Sequence, residues 1–528
     1  MLGLEIVVAV GAAIILGSFF APRLRLATPV ALLALGALLG LVPQFSSMMV
    51  PPELVLMVLL PVLLYWESLT TSLREIRRNL TAIALLSTAL VVATAAAVAV
   101  VAHGFGVDWG AAWVLGAAVA PTDATAIAAL SRTLPRRQVT VLRAESLVND
   151  GTALVIFGVA VSLTVGEEVI TPLGVGGLVL LAYGGGAVIG AVVAGVNIFV
   201  RRRLSDPLLG NAVMLLAPFA AFLLAELIHA SGVIAVVVSG LIMSQAAPRI
   251  VRAQHRTQAL AFWPLFTFLI NGALFVFVGI ELIEIARSLT GAQFASALAV
   301  VGAVSFAVIV TRFVFFFGSA GIRVLLTRRT RGQTEVDSPG LQMIASLAGF
   351  RGAVSLAVAL SVPEVVRTGG AFPDRGLVVF VTGGVVIVTL AGQALALPFA
   401  VRRVKLPVES NAEGEAAAAA AAAYEKALEV LPELSRANDI GEKVERWVRE
   451  AYETFLGNVR AQSGETGAKS AAQDRDAYVT LSLAMIAHRS ETVIRMRDEQ
   501  IIDDEVLRLL QAELDREELA LLAPPSAE

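Results

Sequence analysis

The stretch Glu145-Ser146-Leu147-Val148-Asn149-Asp150-Gly151-Thr152-Ala153-Leu154-Val155-Ile156-Phe157 decides how this chain is to be read. It opens an apolar run, 144–165, of the length of about 20 residues that a helix needs to cross a bilayer. Ionisable groups inside such a run cost on the order of 2.5–3.5 kcal/mol each, so Glu145 and Asp150 call for a reason. On a helix Ser146 and Asp150 stand four residues apart and share a face. A hydroxyl and a carboxylate can there meet one hard cation, which prefers oxygen ligands. Glu145 lies on a different face and needs a cationic partner.

Upstream, the run 109–130 contains Pro121-Thr122-Asp123-Ala124-Thr125. Pro121 cannot donate a backbone hydrogen bond and disfavours helix at Ala120. Thr122 or Asp123 then suits the N-cap of a following half-helix. A helix broken at bilayer depth is tolerated where its freed carbonyls line a cavity, and crossed broken helices build the cation sites of many secondary transporters. Asn149 is placed to brace this break by hydrogen bonds. Downstream, Arg351 in Gly349-Phe350-Arg351-Gly352-Ala353 is the deep cation available, so a buried Glu145–Arg351 ion pair is expected, with a second helix interruption at the glycines. Arg312, nearer a helix end, is expected to snorkel to the membrane surface. Glu226 reads equally as a buried structural carboxyl.

Composition agrees with the membrane reading. The chain is 57% hydrophobic and 16% charged over 528 residues, with a mean hydropathy of +0.79. Soluble domains carry about 25% charge. With Cys 0, thiolate metal sites and disulfides are excluded. Apolar runs fall at about 3–20, 27–43, 53–68, 80–102, 109–130, 144–165, 172–199, 209–229, 231–246, 259–282, 294–318, 339–361 and 376–401. The expected fold class is an all-α polytopic membrane protein of about thirteen spans. Alternate loops carry arginine clusters, from Arg23 and Arg25 through Arg74, Arg77 and Arg78, Arg132, and Arg201–Arg203 to Arg402, Arg403 and Lys405. The intervening loops hold Arg287, Arg367 and Arg375. The positive-inside rule then puts the N-terminus outside and the C-terminus in the cytoplasm, across the cell membrane.

After Pro407 the composition changes. An Ala run, 416–423, precedes charged amphipathic stretches near 433–456 and 476–520, where Val506, Leu507, Leu510 and Leu514 recur at helical spacing. The expected division is a transmembrane domain, 1–407, and a soluble helical tail, 408–528, with a regulatory or dimer-stabilising role.

Five segments, in order, resemble the Na⁺/H⁺ exchangers of the first cation:proton antiporter family. They are LLYWESL (63–69), APTDATA (120–126), ESLVNDGTALVIF (145–157), ASGVIAVVVSGL (230–241) and GFRGAVSLAVAL (349–360). The resemblance covers about 1–405. It implies two inverted six-helix repeats, a homodimer and elevator-type alternating access. It implies that Asp150 binds Na⁺ with Ser146 and the Thr122 carbonyl, that Glu67 approaches through water, and that Asp123 and Asn149 tie the crossed helices together. The usual family context of Glu67 is LLFE, where this chain has Tyr65-Trp66-Glu67. Electrogenic relatives carry a second Asp at position 149 and a membrane Lys. This chain has Asn149 and no Lys before Lys405.

One carboxylate that takes either one Na⁺ or one H⁺ is neutral when loaded both ways, so exchange is expected to be one for one. Li⁺ or K⁺ in place of Na⁺ fits the same chemistry, and K⁺/H⁺ exchange is the alternative reading. A carrier of organic solutes would want a larger polar cavity, and a channel a filter loop or acidic rings. A membrane-anchored sensor with the tail as output is a further class. Neither an enzyme, nor a resident cofactor, nor a nucleic-acid partner is expected. The ions are cargo.

Overall fold

The computed structural model describes residues 2–24, 26–46, 55–71, 76, 85–123, 136–166, 177, 180–204, 206–251, 253–327, 339–367, 369–404, 412–462, 468–499, 501, 510–511, 514–519 and 521. Without water, a backbone must close its own hydrogen bonds, and the helix does so within one stretch of chain. The described residues are accordingly helical, with one isolated β-bridge, Val365 to Ala371. They divide into two compact units, Met1–Pro407 and Val408–Glu528.

In the first unit the helices are α1 (Leu2–Phe20), α2 (Thr28–Gly40), α3 (Leu60–Thr70), α4 (Val91–Gly104), α5 (Trp109–Val119), α6 (Arg136–Val165) and α7 (Gly186–Arg203). There follow α8 (Pro207–Glu226), α9 (Gly232–Ile250), α10 (Ala253–Ser288), α11 (Gly291–Thr327), α12 (Pro339–Leu347), α13 (Ala353–Leu360) and α14 (Arg375–Arg403). Short π-helical turns lead into α3, α4 and α7. Among the described residues, 8 helices are long and apolar enough to cross a membrane. The closely spaced runs near 209–229 and 231–246 are separate helices. Each starts at a capping side chain: Asp206 accepts from the Leu208 N–H at 2.8 Å, and Ser231 from the Ile234 N–H at 3.3 Å. Several helices outrun their apolar cores, α6 by eight residues at its start, because helical hydrogen bonding continues into the charged flanks.

Helix α7 shows the inside-out polarity of a lipid-facing element. Val188, Val192, Val196 and Phe199 form one exposed stripe, while Gly186, Gly190, Ala194, Asn197 and Arg201 are buried. Small residues let the backbones close up where hydrophobicity alone cannot drive helix association. A Cβ at Gly36 of α2 would strike the Val276 carbonyl of α10, and one at Gly279 of α10 the Leu33 carbonyl of α2.

Two apolar cores result. One draws on α1, α2, α3, α7, α8, α9 and α10 together with parts of α6, α12, α13 and α14, the other chiefly on α4, α5, α6, α11, α13 and α14. Helices α5 and α6 pack on each other in the second core, with α13 against both. The sequence between α12 and α13, Ala348 to Gly352, is not helical. Both expected helix interruptions are therefore present, one after Val119 and one at the glycines. The expected half-helix beyond Asp123 and the loop residues Arg74, Arg77, Arg78 and Arg132 lie outside the described residues.

The second unit holds α15 (Ala412–Ala437), α16 (Glu442–Gln462) and α17 (Ala468–Asp498). The Ala run lies in α15, as its propensity dictates. Tyr424 of α15 packs on Tyr452 and Phe455 of α16, with ring centroids 5.6 and 6.1 Å apart. Val506 and Leu507 are outside the described residues.

Candidate ion-binding site

The site forms where the two interrupted segments cross. The Asp123 N–H donates to the Phe350 carbonyl at 2.8 Å, so each break supplies the other's missing backbone partner. Arg351 donates through Nη1 to the carbonyls of Ala120 and Pro121, the latter at 2.7 Å. The last carbonyls of a helix lack intrahelical partners and carry the negative end of its dipole, so a guanidinium suits the end of α5. The mirror arrangement holds at the other break. The Asp123 carboxylate lies against Gly352, the N-cap of α13, where free N–H groups and the positive end of the dipole gather. A Cβ at position 352 would overlap that carboxylate, so the approach requires glycine.

Helix α6 closes the site from a third side. Ser146 Oγ donates to the Thr122 carbonyl at 2.8 Å, and Asn149 Nδ2 to Thr122 Oγ1 at 2.6 Å. Thr122 is thus held through both its carbonyl and its hydroxyl, in a stretch, Pro121 to Asp123, that is not helical. Asp150, one turn beyond Ser146, is 1% exposed, and its Oδ1 has no hydrogen-bond partner. Asn149 Oδ1 is also buried without a partner. Buried acceptors normally find donors, and a pair left open beside a hydroxyl and a carbonyl is suited to a cation stripped of water. Glu67 on α3, Asp123 and Arg351 lie within electrostatic reach of Asp150. The structure thus brings together Asp150, Ser146, Thr122, Asn149 and Asp123, with Glu67 half-buried on the neighbouring helix.

The expected Glu145–Arg351 pair is not formed. Arg312 of α11 takes Glu145 instead, with Nη1 to Oε1 at 2.7 Å and Nη2 to Oε2 at 3.3 Å. Its Nε donates to the Ala345 carbonyl of α12 at 3.2 Å. Nor does Arg312 snorkel: its side chain is 2% exposed, and that of Glu145 is 1%. Arg351 is committed to the α5 carbonyls, and α11 approaches the face of α6 that presents Glu145. The cost of a charge inside an apolar run applied to Arg312 as it did to Arg351 and was the signal for this pair. Glu226 is not a buried structural carboxyl. It ends α8 exposed, and its Oε1 accepts from the Gly232 N–H at 3.4 Å.

Comparison with known proteins bears on this geometry. The chain is 41% identical over 530 residues to an uncharacterized Na⁺/H⁺ exchanger of Mycobacterium tuberculosis, covering 100% of this chain and 97% of that protein. It is 28% identical over 392 residues to the sodium, potassium, lithium and rubidium/H⁺ antiporter of Bacillus subtilis, covering 70% of this chain and 57% of the other. Its fold is that of the sodium proton antiporter of Methanocaldococcus jannaschii solved at pH 8, with a TM-score of 0.60 at 20% identity over 78% of this chain and 100% of that one. The model of the sodium/hydrogen exchanger transmembrane region matches residues 9–403. With a match of that extent, this chain belongs to the sodium/hydrogen exchanger family, whose members are antiporters and not enzymes.

Proposed function

We propose that this protein exchanges Na⁺ (or Li⁺) for H⁺ across the cell membrane, one for one, with Asp150 as the group that takes either ion. The observation that carries the reading is the buried Asp150 carboxylate, with one oxygen unpartnered, beside Ser146 and the Thr122 carbonyl. A Na⁺ there takes oxygen from Asp150, Ser146 and Thr122. A proton on Asp150 leaves the same site neutral. Asn149 adds no second charge, so each loaded form crosses uncharged. Asp123, Arg351 and Asn149 hold the crossed segments in register, and Glu67 approaches the ion through water.

The thirteen apolar runs of the sequence and its resemblance to the family support thirteen spans built as two inverted repeats. The arginine-rich loops support an external N-terminus and a cytoplasmic tail, 408–528, that regulates transport or stabilises a homodimer. K⁺/H⁺ exchange at the same site is the second reading, supported by the potassium in the name of the Bacillus relative.

The test is Asp150→Asn in proteoliposomes with an internal pH dye. The amide can neither take up a proton nor neutralise Na⁺, so the folded variant is expected to move no protons when Na⁺ is added. Wild-type exchange by it would overturn the assignment. Separate additions of Na⁺, Li⁺, K⁺ and Rb⁺ to the wild type decide between the two cation readings.

A further inference from the structure

A cavity of about 330 Å³ opens between α6, α8 and the start of α9. Its α6 wall includes Leu154, Gly158 and Ser162, which continue the row of residues spaced by four that starts at Asp150. The first of them is four residues, about 6 Å of rise, from Asp150. The wall at Gly158 is open, since a Cβ there would meet nothing within 4 Å. The rest of the lining is largely apolar, with Phe222 among it, and its carboxylate is Glu226.

The chain fixes where that carboxylate sits. His229 turns the backbone with φ at 56°, Ser231 caps α9, and the Gly232 N–H holds Glu226 Oε1. Helix α8 leaves the arginine-rich end of α7 and spans 20 residues, about 30 Å, so Glu226 lies at the far end from Arg201–Arg203. In the proposed orientation that end faces outside.

We propose that this cavity is the outer vestibule of the cation path, and that Glu226 concentrates cations in it ahead of Asp150. The inference rests on the proposed site at Asp150 and adds the route by which external cations reach it. A fixed carboxylate above low-dielectric walls raises the local concentration of cations and lowers that of anions. Among the described residues, the other titratable group in the lining is His229.

The absence of cysteine from the chain supplies a direct test. Gly158→Cys places a single thiol in open space on the cavity wall. Membrane-impermeant cationic and anionic methanethiosulfonates are applied to intact cells, and their labelling rates compared. The cationic reagent is expected to react faster, on the order of tenfold, and Glu226→Gln to abolish the preference. This readout needs no transport, so it is independent of the Asp150 assignment. In proteoliposomes Glu226→Gln is expected to raise the Na⁺ KM several-fold at unchanged maximal rate, and Glu226→Asp to restore it. Absence of labelling, equal rates for the two reagents, or a preference that survives Glu226→Gln would overturn the proposal. An unchanged Na⁺ KM in Glu226→Gln would do so too.

Discussion

Arg312 and Glu145 join α11 to α6 through a bidentate ion pair with both side chains almost completely buried. The same guanidinium reaches the Ala345 carbonyl of α12, so one side chain braces the site helix against the segment leading into the second break. Removing either partner strands a charge, which costs about 3–5 kcal/mol. Glu145→Ala and Arg312→Ala are each expected to lower thermal stability by that order, and the double variant by clearly less than the sum. Additive losses in a double-mutant cycle would show that the pair is not a unit.

Gly352 offers a contrast with Gly158. A methyl group at 352 displaces the Asp123 carboxylate, whereas one at 158 meets nothing within 4 Å. Gly352→Ala is expected to cut exchange by at least about tenfold, since overpacking at a crossing costs about 1–3 kcal/mol and shifts the groups that define it. Gly158→Ala should exchange at close to the wild-type rate. Equal behaviour of the two variants in the dye assay would contradict the crossing geometry.

Ser146 touches the site through its hydroxyl and also ties α6 to Thr122 at 2.8 Å. Ser146→Ala is expected to weaken apparent Na⁺ affinity by about tenfold, the loss of roughly one hydrogen-bond or ligand contact. Ser146→Thr should recover part of it. The measurement is the Na⁺ dependence of exchange at fixed pH.

Competition for one carboxylate fixes the sign of the pH dependence. Protonation of Asp150 excludes Na⁺, so KM for Na⁺ rises as pH falls, by about tenfold per unit once the carboxylate is mostly protonated. At alkaline pH the KM levels off while the rate falls for want of protons, giving a bell-shaped profile at fixed ion concentrations. A KM that does not change over the whole active range would rule out a shared site.

Neutral loaded forms predict no dependence on voltage. On a solid-supported membrane a Na⁺ gradient is expected to give no sustained current. Asn149→Asp, which sets a second carboxylate beside the first, should introduce one if the protein folds. A sustained wild-type current would exclude one-for-one exchange.

The membrane fold class and both helix interruptions were legible in the sequence because they depend on local chemistry. Length and hydropathy mark the apolar helices, proline removes a donor at 121, and glycines mark the break before Ala353. The shared face of Ser146 and Asp150 followed from helical periodicity. Partner choice was not local. Glu145 and Arg312 are 167 positions apart, and only the fold brings the Arg312 side chain of α11 within reach of that carboxylate on α6. Arg351 likewise meets carbonyls 230 and 231 positions away, because α5 happens to end where the second break crosses it. The sequence determined which groups had to find partners inside the bilayer; the tertiary structure decided which partners they found, since burial makes an unpaired charge intolerable without specifying what neutralises it.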